Sequence, residues 1–318
     1  MTDQLKIETD PLRAGVLNEL LIRSELITLC PFETTNRLNI RVSRWKALPS
    51  VGFRQFNQAY AESSGTTEPM EETVYPLGGD VDTDIAFVRD QGSIVDQRAL
   101  QRQMKARAMA YQFQDSFVNG DQAVDANSFT GIKKRVANMG STQTISTGTN
   151  GLDVRASDAN MYAFLRFLDQ AMYWVDGGMG AVSALICNDD SFLGFTDVLR
   201  RKALLNQSAD QFGRIIYRYG PNGPILIDAG VKADQTTKII TTTETQGSST
   251  DCTSIYPVRF GREAGDYLIG IQEYPLDTRD LGEQQSKPVY RDRFDWPLGL
   301  AHWNDRSFSR LVGVRWTS

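Results

Sequence analysis

Apolar residues recur at helical spacing in four stretches of the chain, and each stretch predicts a helix with one buried face. The stretches are residues 10–29, 93–117, 157–175 and the residues after Asp190. The second is the longest, and Ser93 with Asp96 three positions later predicts its N-terminal cap. Its predicted apolar stripe comprises Leu100, Met104, Ala108 and Tyr111, continued beside it by Met109, Phe113 and Phe117.

Alternation of apolar and polar residues predicts strands between and after these helices. Residues 38–43, 294–300 and 312–316 alternate with a period of two. Pro297 lies inside the second of these runs, which predicts a strand at the edge of a sheet. A continuous apolar run at 183–188 predicts a buried strand that leads directly into the fourth helix. This mixture of helices and strands predicts an α+β or α/β fold.

One long segment fits neither pattern. Residues 47–79 are rich in Ser, Thr, Glu, Gly and Pro, and their aromatic residues stand apart from one another. The segment is too long for an ordinary connection and too poor in clustered apolar residues to pack on itself. It therefore predicts a protruding two-stranded loop whose aromatic side chains need a partner.

Composition and charge narrow the class of protein. The chain has 318 residues, of which 41% are hydrophobic and 23% charged, as is typical of a soluble globular protein. No window approaches 18 consecutive apolar residues, so no membrane span is predicted. The polar N-terminus lacks the features of a secretory signal, and we expect the chain to stay in the compartment where it is made.

The net charge is -5, which gives the whole chain no surplus of positive charge for binding nucleic acid directly. Three cysteines lie far apart in the sequence, a pattern that favours a reducing compartment and argues against a disulfide framework.

The residues needed for common catalytic and metal sites are missing. His302 is the only histidine, and no Gly-x-Ser-x-Gly motif supplies a nucleophile for it. Asp80, Asp82 and Asp84 resemble the start of a calcium loop, but Ile85 and Gln91 stand where the loop needs a glycine and a glutamate. These three aspartates are therefore interpreted as a solvated turn before a strand. The sequence predicts no catalytic residue, no cofactor, no metal site and no enzymatic activity.

A basic cluster occupies the first half of the longest predicted helix. It comprises Arg98, Arg102, Lys105 and Arg107. We interpret it as a solvated face, with a binding patch as the less favoured alternative.

Three phrases, taken in their order along the chain, carry a resemblance to a known family. They are FVNGDQAVDANSFTGI at 117–132, SALICNDDSFLGFTDVLRRK at 183–202 and RDRFDWPLGLAHWNDRSFSRLVGVRW at 291–316. With the N-terminal arm, the long loop and the long helix, this order resembles the major capsid protein of tailed bacteriophages, whose fold is shared with encapsulin shells.

The resemblance implies an α+β capsid fold divided into five parts. Residues 1–44 resemble the N-terminal arm, 45–92 the extended β-hairpin loop, and 93–154 the peripheral domain with its spine helix. Residues 155–287 resemble the axial α/β domain, and 288–318 resemble the strands that return to the peripheral domain.

The resemblance also implies a function and partners. The expected function is self-assembly into hexamers and pentamers of an icosahedral phage head, the virion capsid, which forms in the host bacterial cytoplasm and encloses double-stranded DNA without sequence-specific binding. A portal and a separate scaffold protein are possible partners. Only about 44 residues precede the loop, which implies a separate scaffold or none. The loop's only lysine is Lys46, near its base, which argues against a covalent cross-link.

Apolar residues of the arm and the loop are the predicted contacts between subunits, because little within their own subunit is expected to cover them. They are Leu12, Val16, Leu20, Val51, Phe53, Phe56 and Tyr60. An encapsulin-like compartment is the nearest alternative function. A hydrolase that uses Asp189 and Asp190 is a less favoured alternative, because helix capping explains that pair more simply.

Overall fold

The structure is a computed structural model that describes residues 11–89, 96–209, 213, 215–261 and 267–317. Its helices are α1 (Pro11–Arg23), α2 (Glu25–Leu29), α3 (Ile85–Arg89), α4 (Gln97–Asn119), α5 (Ile132–Asn138), α6 (Asp158–Trp174) and α7 (Asp189–Arg201). Its strands are β1 (Phe32–Thr34), β2 (Asn39–Ala47), β3 (Thr66–Thr73), β4 (Tyr75–Asp84), β5 (Thr144–Ser146), β6 (Leu152–Asp153), β7 (Ala184–Cys187), β8 (Leu205–Ala209), β9 (Ile215–Tyr219), β10 (Ile225–Asp228), β11 (Glu244–Gln246), β12 (Ser249–Val258), β13 (Leu268–Gln272), β14 (Asp277–Glu283), β15 (Val289–His302) and β16 (Arg310–Arg315).

The described strands form three sheets. A five-stranded sheet has the order β1-β13-β15-β14, with β4 also paired to β15. A nine-stranded sheet has the order β5-β16-β12-β7-β10-β9-β8, with β11 on β12 and β6 on β16. The third sheet contains only β2 and β3. The α+β fold class predicted from the sequence is confirmed.

The long helix α4 packs on the five-stranded sheet along a stripe that differs from the predicted one. Its buried residues include Ala106, Met109, Phe113 and Phe117, and the Phe113 ring stacks on Trp296 at 5.7 Å. Leu100 and Met104, which were predicted to lead the stripe, are 37% and 54% exposed. Four residues turn the helix slightly more than once, so two neighbouring stripes at four-residue spacing were available, and the aromatic one was buried. The helix begins at Gln97, directly after its cap Asp96, and Ser93 lies outside the described residues.

Helix α1 packs against α4, which corrects the prediction for the arm. Val16 and Leu20 are 5% and 0% exposed, within the same core cluster as Phe113 and Phe117. Glu19 accepts a hydrogen bond from Arg107 at 2.5 Å across this contact. The expectation that Val16 and Leu20 lack cover in their own subunit is therefore wrong, because the apolar face of α1 needs only a neighbouring helix face. The side chain of Leu12 lies outside the described part of the chain.

A second core forms between the nine-stranded sheet and helices α6 and α7. Strand β7 is buried along its whole length, as predicted for residues 183–188. Asn188 then caps α7 by accepting a hydrogen bond from the Ser191 amide at 2.8 Å. The predicted order of buried strand, cap and helix is confirmed, but the predicted caps, Asp189 and Asp190, lie in the first turn of the helix instead.

Strand β15 corrects the edge predicted from Pro297. It runs through the interior of the five-stranded sheet, with β13 and β14 on one side and β4 on the other. Pro297 lies opposite Pro76 of β4 in the register. Two prolines at facing positions leave no amide donor unpaired there, so the strand can continue inside the sheet.

Candidate assembly surface

Strands β2 and β3 and the residues 48–65 that join them make one extension, which we call the loop hairpin. The strands pair antiparallel from Asn39 opposite Thr73 to Ala47 opposite Thr66. They pair with no other described strand. The prediction of a protruding two-stranded loop is confirmed, although the pairing starts at residue 39, before the predicted boundary at 45.

The tip of the loop hairpin carries the most exposed apolar side chains among the predicted contacts. Val51, Phe53 and Phe56 are 96%, 110% and 98% exposed, and Tyr60 is 67% exposed beneath the Arg54 guanidinium. Single exposed apolar residues are ordinary, but four within ten positions of one extension concentrate apolar area that is exposed to water. Their contacts with another subunit remain a prediction.

The root of the loop hairpin is held by one buried arginine. Arg135 of α5 is 4% exposed, and its Nη2 donates to the Glu72 carboxylate of β3 at 2.9 Å and to the Leu300 carbonyl at 2.7 Å. Its Nε donates to the Thr130 carbonyl at 2.8 Å. One guanidinium thus connects the hairpin, the five-stranded sheet and the turn before α5. Buried charges need such partners, because an unpaired one costs several kcal/mol.

His302 completes this root. The ring is 3% exposed, and its Nδ1 lies 2.6 Å from Arg135 Nη1. Burial, together with the neighbouring Arg135 guanidinium, holds the pKa of His302 below its ordinary value, while Asp305 and Glu72 act in the opposite direction. His302 is therefore a neutral, packed side chain of the hairpin root at neutral pH.

Paired aspartates and arginines join β4 to β15 beside this root. Arg293 donates to Asp80 at 2.8 and 2.9 Å, and Arg291 donates to Asp82 at 2.6 and 2.7 Å. The hydrogen bonds from Arg291 are the main cause that lowers the pKa of Asp82 to about 2, and those from Arg293 lower the pKa of Asp80. Asp80 and Asp82 thus lie in a strand with arginine partners, and their interpretation as a solvated turn is wrong.

The opposite face of β15 anchors the long helix. Asp292, between these two arginines in the sequence, is fully buried and accepts hydrogen bonds from Arg98 and Arg102 of α4. Successive side chains of a strand lie on opposite faces of the sheet. In the sequence Arg-Asp-Arg, the two arginines therefore share a face with their partners on β4, and Asp292 lies on the face that α4 covers. The solvated-face interpretation of Arg98 and Arg102 is therefore wrong. A long-range partner 190 residues away gives no local signal in the sequence.

Asp189 and Asp190, the pair considered for hydrolysis, lie in the first turn of α7 and form ion pairs with one lysine. Lys238 Nζ lies 2.7 Å from Asp189 and 2.6 Å from Asp190.

Among the described residues, no group of three or more His, Cys, Asp or Glu side chains could hold a metal ion. All three cysteines are buried, and burial raises the pKa of Cys30 to about 12. No described helix is long and apolar enough to cross a membrane.

Comparisons with known proteins place this geometry among shell-forming folds. The sequence model of the family described as Major capsid protein GP7 matches residues 17–160, whereas no curated protein gives a significant match. The chain is similar to the holo-SrpI encapsulin of Synechococcus elongatus, with 15% identity, 92% of this chain and 89% of that chain covered, and a TM-score of 0.63.

Two further comparisons agree with this result. The capsid of a native GTA particle shares 15% identity, with 91% of this chain and 89% of that chain covered and a TM-score of 0.59. A structure from Mycobacterium phage Bobi shares 9% identity, with 90% and 89% covered and a TM-score of 0.59. The chain therefore has the capsid fold that tailed-phage major capsid proteins share with encapsulins, and its residues 17–160 match the sequence model of a major capsid protein family.

Proposed function

We propose that this chain is a major capsid protein, the structural subunit of a closed icosahedral phage head that encloses double-stranded DNA. The observation that carries the proposal is the loop hairpin, whose tip leaves Val51, Phe53 and Phe56 almost fully exposed. Burying this surface against a neighbouring copy favours association by about 25 cal/mol per Å². The matched family and the fold are those of structural proteins.

Assembly from such contacts is cooperative. Each subunit would contact several neighbours, and a contact of ordinary size buries about 1,600 Å². When each subunit makes the same head-to-tail contact with the next, the subunits form a closed ring. Rings of six and of five subunits together form a closed shell. Because a subunit leaves only when all its contacts break at once, individually weak contacts make a durable container. A portal and a scaffold protein are the further partners proposed for a head of this kind.

The subunit body suits this role. The core around α4 supports the proposed peripheral domain, and the core around α6 and α7 supports the proposed axial domain. The net charge of -5 favours a wall that confines DNA over one that binds it tightly. Assembly would take place in the host bacterial cytoplasm, where reduced cysteines are the rule.

An encapsulin-like compartment is the second candidate, favoured by the similarity to the Synechococcus elongatus encapsulin. One experiment separates the two. The full chain is expressed alone and together with the neighbouring genes, and the product is imaged by electron microscopy and analysed for nucleic acid and protein content.

Closed shells of uniform size support the proposal, and packaged DNA favours the phage head. A co-purifying enzyme inside the shells favours the compartment instead. A monomer that stays dispersed at every concentration, alone and in co-expression, would overturn both.

A further inference from the structure

The root of the loop hairpin borders a polar cleft of about 410 Å³. Glu71, Glu72, Arg135, His302 and Asp305 are among its lining residues. His302 is the only histidine of the chain, and its Nε2 has no hydrogen-bond partner within the described residues. The side chain that titrates nearest to neutral pH thus lies between the hairpin and the body.

The contact with Arg135 defines the protonation state of His302. A guanidinium can only donate hydrogen bonds, so Nδ1 of His302, 2.6 Å from Arg135 Nη1, must accept one and carry no proton. The single ring proton then lies on Nε2. A second proton would have to bind at Nδ1, where it would meet an N–H group and a positive charge.

Three charged groups face the ring from the elements packed against it. Arg135 of α5 opposes protonation, whereas Glu72 of β3 lies 3.8 Å from Nδ1 and Asp305 lies 3.7 Å from Nε2, and both favour it. Glu71 also lines the cleft, but its carboxylate accepts hydrogen bonds from Asn39 and Arg41 on the exposed side of the hairpin. A protonated Nδ1 would therefore compete with Arg135 for Glu72.

We propose that His302 is a proton-sensitive lock for the loop hairpin. Neutral His302 keeps Arg135 bound to Glu72, while a proton taken up from solvent at Nδ1 displaces Arg135 and releases β3 from the body. The lock is a property of one subunit. Only its consequence for a shell, a change in the angle at which the hairpin reaches its neighbour, rests on the proposed function.

Hydrogen exchange measured by mass spectrometry tests the lock on the full chain in whatever assembly state it has. Amide exchange in β3 is compared at about pH 5 and about pH 8, after correction for the intrinsic rate, with the buried strand β7 as internal reference. We expect β3 to lose protection by about tenfold at the lower pH, while β7 stays protected. Equal protection of β3 at both pH values would overturn the proposal.

A separate incubation of several days reports the titration of His302 itself, because exchange at the ring C2 position depends on its protonation and the chain has one histidine. We expect the loss of β3 protection and the protonation of His302 to share one midpoint, at a pH below 6.5. His302→Gln supplies an amide oxygen to Arg135 that does not titrate, so β3 should then be protected at both pH values. Midpoints that differ, or an unchanged pH response in the variant, would show that another group controls the hairpin. The midpoint comparison needs no variant, so it holds even if His302→Gln folds poorly.

Discussion

The carboxylate of Asp292 receives Nε of Arg98 at 2.9 Å and Nη2 at 2.8 Å, in a two-pronged pair that joins the long helix α4 to strand β15. Arg102, one turn further along the helix, repeats the same pair at 2.9 and 2.8 Å. Asp280 of β14 adds a second carboxylate 2.5 Å from Arg98. Two arginines therefore face two acids, and the charges balance at a junction in which Asp292 is buried and Asp280 is partly exposed.

We expect Asp292→Asn to destabilise the subunit by about 3 kcal/mol, because it leaves two largely buried guanidinium groups without their main acceptor. Chemical denaturation of the subunit measures the loss. Glu283→Gln, at an exposed position of the neighbouring strand β14, is the matched control and should change stability by less than about 0.5 kcal/mol. If the two variants lower the unfolding free energy equally, the pairing of Asp292 with Arg98 and Arg102 does not stabilise the subunit.

Phe56→Ala should weaken assembled shells more than it weakens single subunits, since the Phe56 ring is 98% exposed in the single chain. Phe113→Ala, in the core, should cost the subunit about 3–5 kcal/mol. Thermal denaturation of dissociated subunits and dissociation of shells by denaturant give the two quantities. A Phe56→Ala subunit as unstable as the Phe113→Ala one would place Phe56 inside its own subunit.

Removal of the hairpin tip should leave a folded subunit that does not assemble. Ser63 Oγ donates to the Ser50 carbonyl at 2.8 Å, so residues 51–62 can be replaced by two glycines with little strain on β2 and β3. The shortened chain should keep its circular dichroism spectrum and sediment as small species. Closed shells formed by this chain would contradict the role of the tip.

Acid should weaken the junction between β4 and β15. The pKa of Asp82 is lowered from 3.8 to about 2, and that of Asp80 is lowered as well, so the unfolded chain binds more protons in this range. The stabilisation from Asp82 is complete above pH 3.8 and is lost as the pH falls through about 2, and that from Asp80 is likewise lost as the pH falls.

The loss of stability in acid is tested by measuring the unfolding free energies of the parent chain and of Asp82→Asn from above pH 3.8 down to about 2. The variant should be less stable than the parent above 3.8, and the difference should shrink towards about pH 2. A difference that does not change with pH would show that the Arg291 pair makes no electrostatic contribution.

Local sequence signals determined the parts of this protein that depend on neighbouring residues. The buried run before Asn188 and the helix after it follow from spacing, and the structure has them where they were predicted. The cap lies one residue earlier than predicted, at Asn188, and Asp189 and Asp190 form the first turn of the helix. The polar composition of residues 47–79 likewise predicted the protruding hairpin, because a segment without clustered apolar residues cannot bury itself.

Only the tertiary structure decided which residues meet across the chain. Val16 looked unpartnered until α1 packed on α4, and Arg98 looked solvated until Asp292 reached it from 194 residues away. The same holds for His302, which gained a role only when Arg135 and Glu72 surrounded it. The physical reason is that burial and pairing are properties of a packed arrangement, and the residues on either side of a position in the sequence do not encode which distant charge or face will cover it.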